Sequence, residues 1–185
     1  MSLAGIILAA GASRRMGSPK ALLVYQGETF LARMCRIMKS ACDPVIVVLA
    51  PGTDAWAPEG VIITVNPDPD RGMLSSLQCG LRQADGMRVM FTPLDYPSLR
   101  ESTIRAVAET QGEIVIPRYG TQRGHPVRIS NVIAQELLAP DVHTAADVIR
   151  RDASRICYID VDDPGILRDI DNPADYQKLL QSASC

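Results

Sequence analysis

Aromatic residues make up only 4% of the 185-residue chain, too few for the stacking platforms on which single-stranded nucleic acids are held. The net charge is −2, so the basic footprint of a nucleic-acid binder is missing as well. No apolar run approaches the roughly 20 residues that a bilayer span needs, and no membrane partner is expected. The cysteines Cys35, Cys42, Cys79, Cys157 and Cys185 are odd in number and form no C-x-x-C pair. Buried reduced thiols are expected rather than disulfides or a zinc site. The opening Met1-Ser2-Leu3-Ala4-Gly5 has no charged n-region and no cleavage site, so it is not read as a signal peptide, and a cytoplasmic location is expected. Internal repeats, low-complexity runs and linkers are also missing, which predicts a single domain over residues 1–185.

What is present is a well-supplied core, with 46% hydrophobic residues, and one unusual loop. Ile6-Ile7-Leu8-Ala9-Ala10 is too short for a helix of its own and reads as a buried parallel strand. It runs into Gly11-Ala12-Ser13-Arg14-Arg15-Met16-Gly17-Ser18-Pro19-Lys20. Gly11 and Gly17 let backbone N–H groups approach an anion, and Arg14, Arg15 and Lys20 add positive charge. A strand feeding a small-residue basic loop is a phosphate-binding arrangement. It is not the Walker loop, because Gly17 is followed by Ser18-Pro19-Lys20 and the glycine spacing is one residue too long. Nor is it the dinucleotide G-x-G-x-x-G fingerprint, since Ser13 stands at the second glycine.

Further along, Thr29 is placed to cap a helix whose inner face carries Leu31, Met34, Cys35 and Met38. Strands are expected at residues 45–50 and 61–65, on either side of a Pro/Gly-rich loop that holds the only tryptophan, Trp56. A helix with Leu74, Leu77 and Leu81 on one face precedes a strand at residues 88–92. A helix after Ser98, a strand at residues 113–116, helices around residues 132–138 and 145–151, and a last strand at residues 155–161 follow. Asn172 is placed to cap a terminal helix that packs Tyr176, Leu179 and Leu180 inward. Asp160, Asp162 and Asp163 read as a solvated turn. This alternation of strand and helix argues an open α/β sheet. In such sheets Asp95, between Pro93 and Pro97 at a strand's carboxyl end, suits a hard cation. The alternative is a cap on the next helix.

The pattern L-A-A-G-x-S-x-R-M-G-x-x-K over Leu8 to Lys20 resembles the signature of sugar-nucleotide-type nucleotidyltransferases, and within them the molybdenum cofactor nucleotidyltransferase family. The resemblance implies a Rossmann-like three-layer αβα fold with a mostly parallel sheet, of the nucleotide-diphospho-sugar transferase type. It implies nucleotide binding by Leu8, Ala9, Ala10, Gly11, Arg15 and Lys20, and by Gly72 and Ser76, which match the family's N…G-x-x-x-S-L segment. The bland alternative for Gly72 and Ser76 is an ordinary helix start. Asp95 and Pro97 match the family's G-D-M-P stretch, whereas Leu94 and Tyr96 depart from it. Asp171 matches the aspartate of D-x-D-T-P-E-D-Y, so Asp95 and Asp171 are the implied Mg²⁺ ligands. Arg123, Gly124, Pro126 and Val127 match R-G-x-P-V on a hairpin facing the acceptor, which makes His125 a candidate acceptor contact; a structural histidine is the alternative. Residues 140–144 replace the family's G-D-x-G-A-R loop, so the acceptor is not identified.

These parts imply a transferase that moves a nucleoside monophosphate from a triphosphate to a phosphorylated acceptor, with molybdopterin as the candidate acceptor and Arg15, Lys20 and Asp95 as the catalytic residues. An anionic attacking phosphate needs no general base, so catalysis is positioning and charge neutralisation. Ala10 makes the sequence L-A-A-G, as in the family's cytidylyl branch, rather than the L-A-G-G of its guanylyl branch. A Cβ beside the base should suit a pyrimidine, which favours CTP. A catalytically idle nucleotide-binding regulator, a transferase for another phosphorylated acceptor, and an oxidoreductase read through another loop are the competing readings.

Overall fold

The computed structural model describes residues 2–11, 13, 15–53 and 58–182. Arg14, Trp56 and Cys185 lie outside them. β1 (Leu3–Ala9) is buried at all but its last residue, because it has parallel neighbours on both sides and helices on both faces. After a 3₁₀ turn at Lys20–Leu22, β2 (Val24–Tyr25) and β3 (Glu28–Thr29) form a small hairpin that the sequence reading missed. Thr29 then caps α1 (Phe30–Lys39) as expected, its hydroxyl accepting from Ala32 N at 3.1 Å. β4 (Val45–Leu49), β5 (Val61–Val65), α2 (Met73–Gln83), β6 (Arg88–Pro93) and α3 (Glu101–Glu109) follow. The chain continues through β7 (Ile114–Tyr119), β8 (Gln122–Arg123), β9 (Val127–Ile129), α4 (Asn131–Leu137), α5 (Ala145–Ile149), β10 (Ile156–Asp160) and α6 (Pro173–Ser182).

The main sheet runs β10-β7-β9-β6-β1-β4-β5, with β8 paired to β7. Only β9 and the short β8 run against the other strands. Successive side chains of a strand face opposite sides, and the core divides accordingly. Ile7, Val47, Met90 and Val115 pack with Met34, Ile104 and Leu179 on one face. Ile6, Leu8, Ile46 and Phe91 pack with Leu77, Ile133 and Val148 on the other. Burying each such side chain contributes about 1.5–3 kcal/mol, so both helix layers are held to the sheet by the alternation of β1 and its neighbours. The result is the expected three-layer αβα arrangement.

Residues 127–129, on the expected returning hairpin, form an antiparallel strand inserted between β6 and β7. One expectation fails: Asp163 does not lie in a solvated turn. It is 2% exposed and accepts from Thr103 Oγ1, Arg100 N and Gly165 N. Its neighbours supply a donor for each oxygen, which makes burial of the carboxylate tolerable. Cys35, Cys42, Cys79 and Cys157 are free, as expected.

Candidate active site

The parallel strands all end at one edge of the sheet, and ligands in open α/β sheets bind beyond that edge. There the chain encloses a cavity of about 650 Å³. Its walls are the ends of β1 (Leu8, Ala9), the loop from Gly11 to Leu22, the turn after β4 (Ala50, Gly52, Thr53), and Leu94-Asp95 after β6. Ser13 holds the loop together. Its hydroxyl accepts from Lys20 N at 3.3 Å, and its carbonyl accepts from the amides of Met16 and Gly17. Gly17 has φ +74°, a left-handed backbone that a Cβ would disfavour. The sequence reading assigned Ser13 no role, although it is the serine of the loop pattern itself.

Four charges converge at this cavity. Lys20 Nζ donates to Asp95 Oδ2 at 3.0 Å and to Asp171 Oδ1 at 2.8 Å. Arg15 Nη2 donates to the other oxygen of Asp171 at 2.8 Å. Lys20 comes from the loop after β1, Asp95 from the turn after β6, and Asp171 from the segment before α6, so residues 151 positions apart are joined. Burial works to lower the Lys20 pKa, but its hydrogen bond to Asp171 and the charge of Asp95 outweigh it and hold the ammonium above its ordinary value. The hydrogen bond from Lys20, with further help from Arg15, holds the Asp171 carboxyl below its ordinary value. Both groups are charged at neutral pH.

Behind the cavity, Asn66 is 2% exposed and donates from Nδ2 to Ser75 Oγ at 2.8 Å and Ser76 Oγ at 3.0 Å. Asn66 Oδ1 accepts from Asp68 N at 3.0 Å. This amide fastens the start of α2 to the end of β5. It went unnoticed in the sequence, where a lone asparagine before proline signals only a turn. Gly72, at φ +89°, begins α2 without a side-chain cap.

The other side of Asp95 carries Tyr96 and His125, whose rings are 5.0 Å apart. Phe91 also lies edge-on to His125, at 6.3 Å. Burial drives the His125 pKa down to about 4, against weaker opposing effects of the Phe91 backbone and Asp169. The imidazole is therefore neutral at pH 7 and offers no positive charge to a phosphate. Its Nδ1 is buried and has no hydrogen-bond partner among the described residues. Burial, followed by Asp169, Asp95 and Asp171, pushes the Tyr96 phenol up to about 12.

Of the residues implied by the sequence, Leu8, Ala9, Gly11, Lys20 and Asp95 line the cavity, and Asp171 and Arg15 join them through ion pairs. Ala10, Gly72, Ser76 and His125 do not line it. Ala10 is only 3% exposed and its methyl packs inside, so any influence on a base would pass through the backbone of Ala9 and Gly11, which line the cavity. Asp95 caps no helix, since the residue preceding α3 is Arg100.

Asp95 Oδ1 is buried and has no hydrogen-bond partner among the described residues. An orphaned carboxylate oxygen beside a second carboxylate is a donor set that suits a hard cation. Among the described residues no group of three or more His, Cys, Asp or Glu is placed to hold a metal. Asp95 and Asp171 would therefore supply two protein ligands, leaving the remainder to water and phosphate, as is usual for Mg²⁺.

No helix among the described residues is long and apolar enough to cross a membrane. Among curated proteins, the chain is 34% identical over 126 residues to a Mycobacterium avium protein named "Probable molybdenum cofactor guanylyltransferase", covering 63% of this chain and 64% of that one. A Bacillus cytotoxicus protein of the same name is 28% identical over 123 residues, covering 63% and 62%. These matches thus span less than two thirds of the relatives' own lengths. Among solved structures, Rv0371c of Mycobacterium tuberculosis H37Rv superimposes with a TM-score of 0.81 at 28% identity, covering 97% of each chain. A structure titled as the manganese complex of Rv0371C, from the same organism, gives a TM-score of 0.76 at 26% identity, covering 98% of this chain and 100% of that one. The family model described as the MobA-like NTP transferase domain matches residues 5–156, and the chain belongs to that family.

Proposed function

We propose that the protein is a Mg²⁺-dependent nucleotidyltransferase that moves a nucleoside monophosphate from a triphosphate to a phosphorylated acceptor, with molybdopterin as the favoured acceptor. The observation that carries this reading is Lys20 on the cavity wall, bridging Asp95 on the same wall and Asp171. The backbone from Gly11 to Lys20, with Arg15 and Lys20, would bind the triphosphate. An oxygen of the acceptor phosphate attacks the α-phosphorus in line, the new P–O bond forms, and the bond to the bridging oxygen breaks to release pyrophosphate. The attacking oxygen is already anionic and the leaving group needs no proton, so neutral His125 has no proton to move. Lys20 and Arg15 neutralise charge that builds on the leaving pyrophosphate. A divalent cation held by Asp95 and Asp171 would supply further charge neutralisation at the same phosphates. Neutral His125 would contact the acceptor by hydrogen bonding and not by charge.

For the base, we infer CTP from the L-A-A-G sequence at residues 8–11. GTP is the second reading, favoured by the names of the curated relatives. A matrix of the four nucleoside triphosphates against molybdopterin, sugar phosphates and alcohol phosphates, read by pyrophosphate release, tests the proposal. Release that depends on both a triphosphate and a phosphorylated acceptor is expected. Binding of triphosphate with no release for any acceptor would favour an idle binding module.

A further inference from the structure

Among the described residues, the two carboxylates that suit a divalent cation are already engaged by cations of the chain itself. Lys20 Nζ bridges Asp95 Oδ2 and Asp171 Oδ1, at 3.0 and 2.8 Å. Arg15 takes the second oxygen of Asp171, and only Asp95 Oδ1 is left without a partner. The Lys20 and Asp95 side chains are 14% and 21% exposed, so solvent screens these charges poorly. Two positive charges balance two negative ones. A bare divalent cation arriving there would meet an ammonium already seated between its ligands. A triphosphate changes the balance, because its oxygens offer Lys20 and Arg15 partners of higher charge in the adjoining loop.

We propose that Lys20 is an internal counter-cation that keeps the Asp95–Asp171 pair closed to divalent cations until a nucleoside triphosphate draws its ammonium away. The proposal rests on the reading of Asp95 and Asp171 as the metal ligands. Its consequence is a coupling: nucleotide and cation each strengthen the other's binding, and by the same factor. Phosphate oxygens that ligate the cation add to this coupling whatever the lysine does, so the nucleotide-free state discriminates: removing a lysine that served only as a fixed phosphate ligand would leave cation binding without nucleotide unchanged.

The test is Mn²⁺ binding to the full chain, by calorimetry and by water-proton relaxation, without and with a non-hydrolysable triphosphate analogue. Without nucleotide, Lys20→Met should bind Mn²⁺ on the order of tenfold more tightly than the wild type, the factor expected for loss of one competing charged hydrogen bond. The Lys20→Met/Asp95→Asn variant should lose that gain. The analogue should tighten Mn²⁺ binding in the wild type and do so less in Lys20→Met. Equal nucleotide-free affinities of the wild type and Lys20→Met would overturn the proposal while leaving the metal site standing. Mn²⁺ binding that Asp95→Asn never affects, with or without the analogue, would overturn the metal assignment and the proposal together. If Lys20→Met does not fold, the wild type decides: Mn²⁺ affinity that the analogue does not change overturns the coupling.

Discussion

A Cβ on Gly124 would stand 2.1 Å from the carbonyl oxygen of Ile166, so the hairpin between β7 and β9 meets the segment leading to Asp171 backbone against backbone. His125 N donates to that same carbonyl at 3.1 Å. Four residues on, Ile170 N donates to Asp95 O at 2.9 Å. Residues 166–171 thus tie the hairpin to the turn of Asp95 and end at the other carboxylate of the site. Gly124→Ala should push these backbones apart. A loss of about 1–3 kcal/mol in urea unfolding is expected, as for other overpacked sites, together with slower turnover because Asp171 is displaced. Unchanged unfolding would show that the segment accommodates the methyl.

Asp95→Asn and Asp171→Asn should each retain the fold, since both side chains are partly exposed and not in the core. Each removes one negative charge from the pair, and each is expected to lose most turnover with Mg²⁺. Asp171→Asn also releases Arg15 and weakens the hold on Lys20, so its resting triphosphate affinity should rise, whereas Asp95→Asn leaves Arg15 paired. Circular dichroism checks the fold, and steady-state kinetics with calorimetry separates the two effects. Wild-type turnover in both variants would mean that the carboxylates do not serve the reaction.

Lys20→Ala should weaken triphosphate binding and slow transfer by roughly a hundredfold or more, the usual cost of losing one donor to charge that develops in the transition state. Calorimetric titration with triphosphate and single-turnover measurement check the two parts separately. Unaltered affinity and rate would remove Lys20 from the phosphate site.

The sequence was a good guide wherever a local signal decides the outcome. The apolar run of β1, the Thr29 cap of α1 and the leucine face of α2 all follow from period and capping alone. The loop from Gly11 to Lys20 and the two aspartates were visible as residue types in a long pattern. Features set by distant partners were not visible. Nothing local in Val127-Arg128-Ile129 says that it enters the sheet between β6 and β7, because its pairing is with Val89, Met90 and Phe91 in one neighbour and Ile114 and Val115 in the other. Asp163 looked solvated because its donors Arg100 and Thr103 lie about sixty residues away in the chain. The bridging of Asp95 and Asp171 by Lys20 likewise depends on three loops brought to one edge of the sheet.

His125 should make the protein's stability fall with acid. Its folded pKa is about 4 against an ordinary 6.5, so between these values the unfolded chain binds a proton that the folded chain does not. Stability is therefore complete above about pH 6.5 and declines as the pH drops toward 4, by about 1.4 kcal/mol for each unit separating the two pKa values. Urea unfolding at a series of pH values gives the slope, and His125→Gln should reduce it. An identical slope in the variant would place the acid sensitivity elsewhere.

The base preference is the last expectation, and the packing of Ala10 changes its basis. The methyl at residue 10 is 3% exposed and faces into the fold, while Ala9 and Gly11 on either side line the cavity. Ala10 therefore acts through the course of the backbone between them. A glycine there would widen the conformations open to the loop. CTP should bind more tightly than GTP in the presence of Mg²⁺, and Ala10→Gly should narrow the difference by loosening the backbone between Ala9 and Gly11. Differences of one methyl in a binding pocket are worth only about 1–3 kcal/mol, so a preference of roughly tenfold to two-hundredfold is the range to look for. Calorimetric affinities for the four triphosphates, with wild type and variant side by side, check both statements. Tighter binding of GTP by the wild type would assign the chain to guanylyl transfer, and an unchanged ratio in Ala10→Gly would move the selectivity to other residues of the cavity, with Thr53 after β4 as the next polar side chain on its wall.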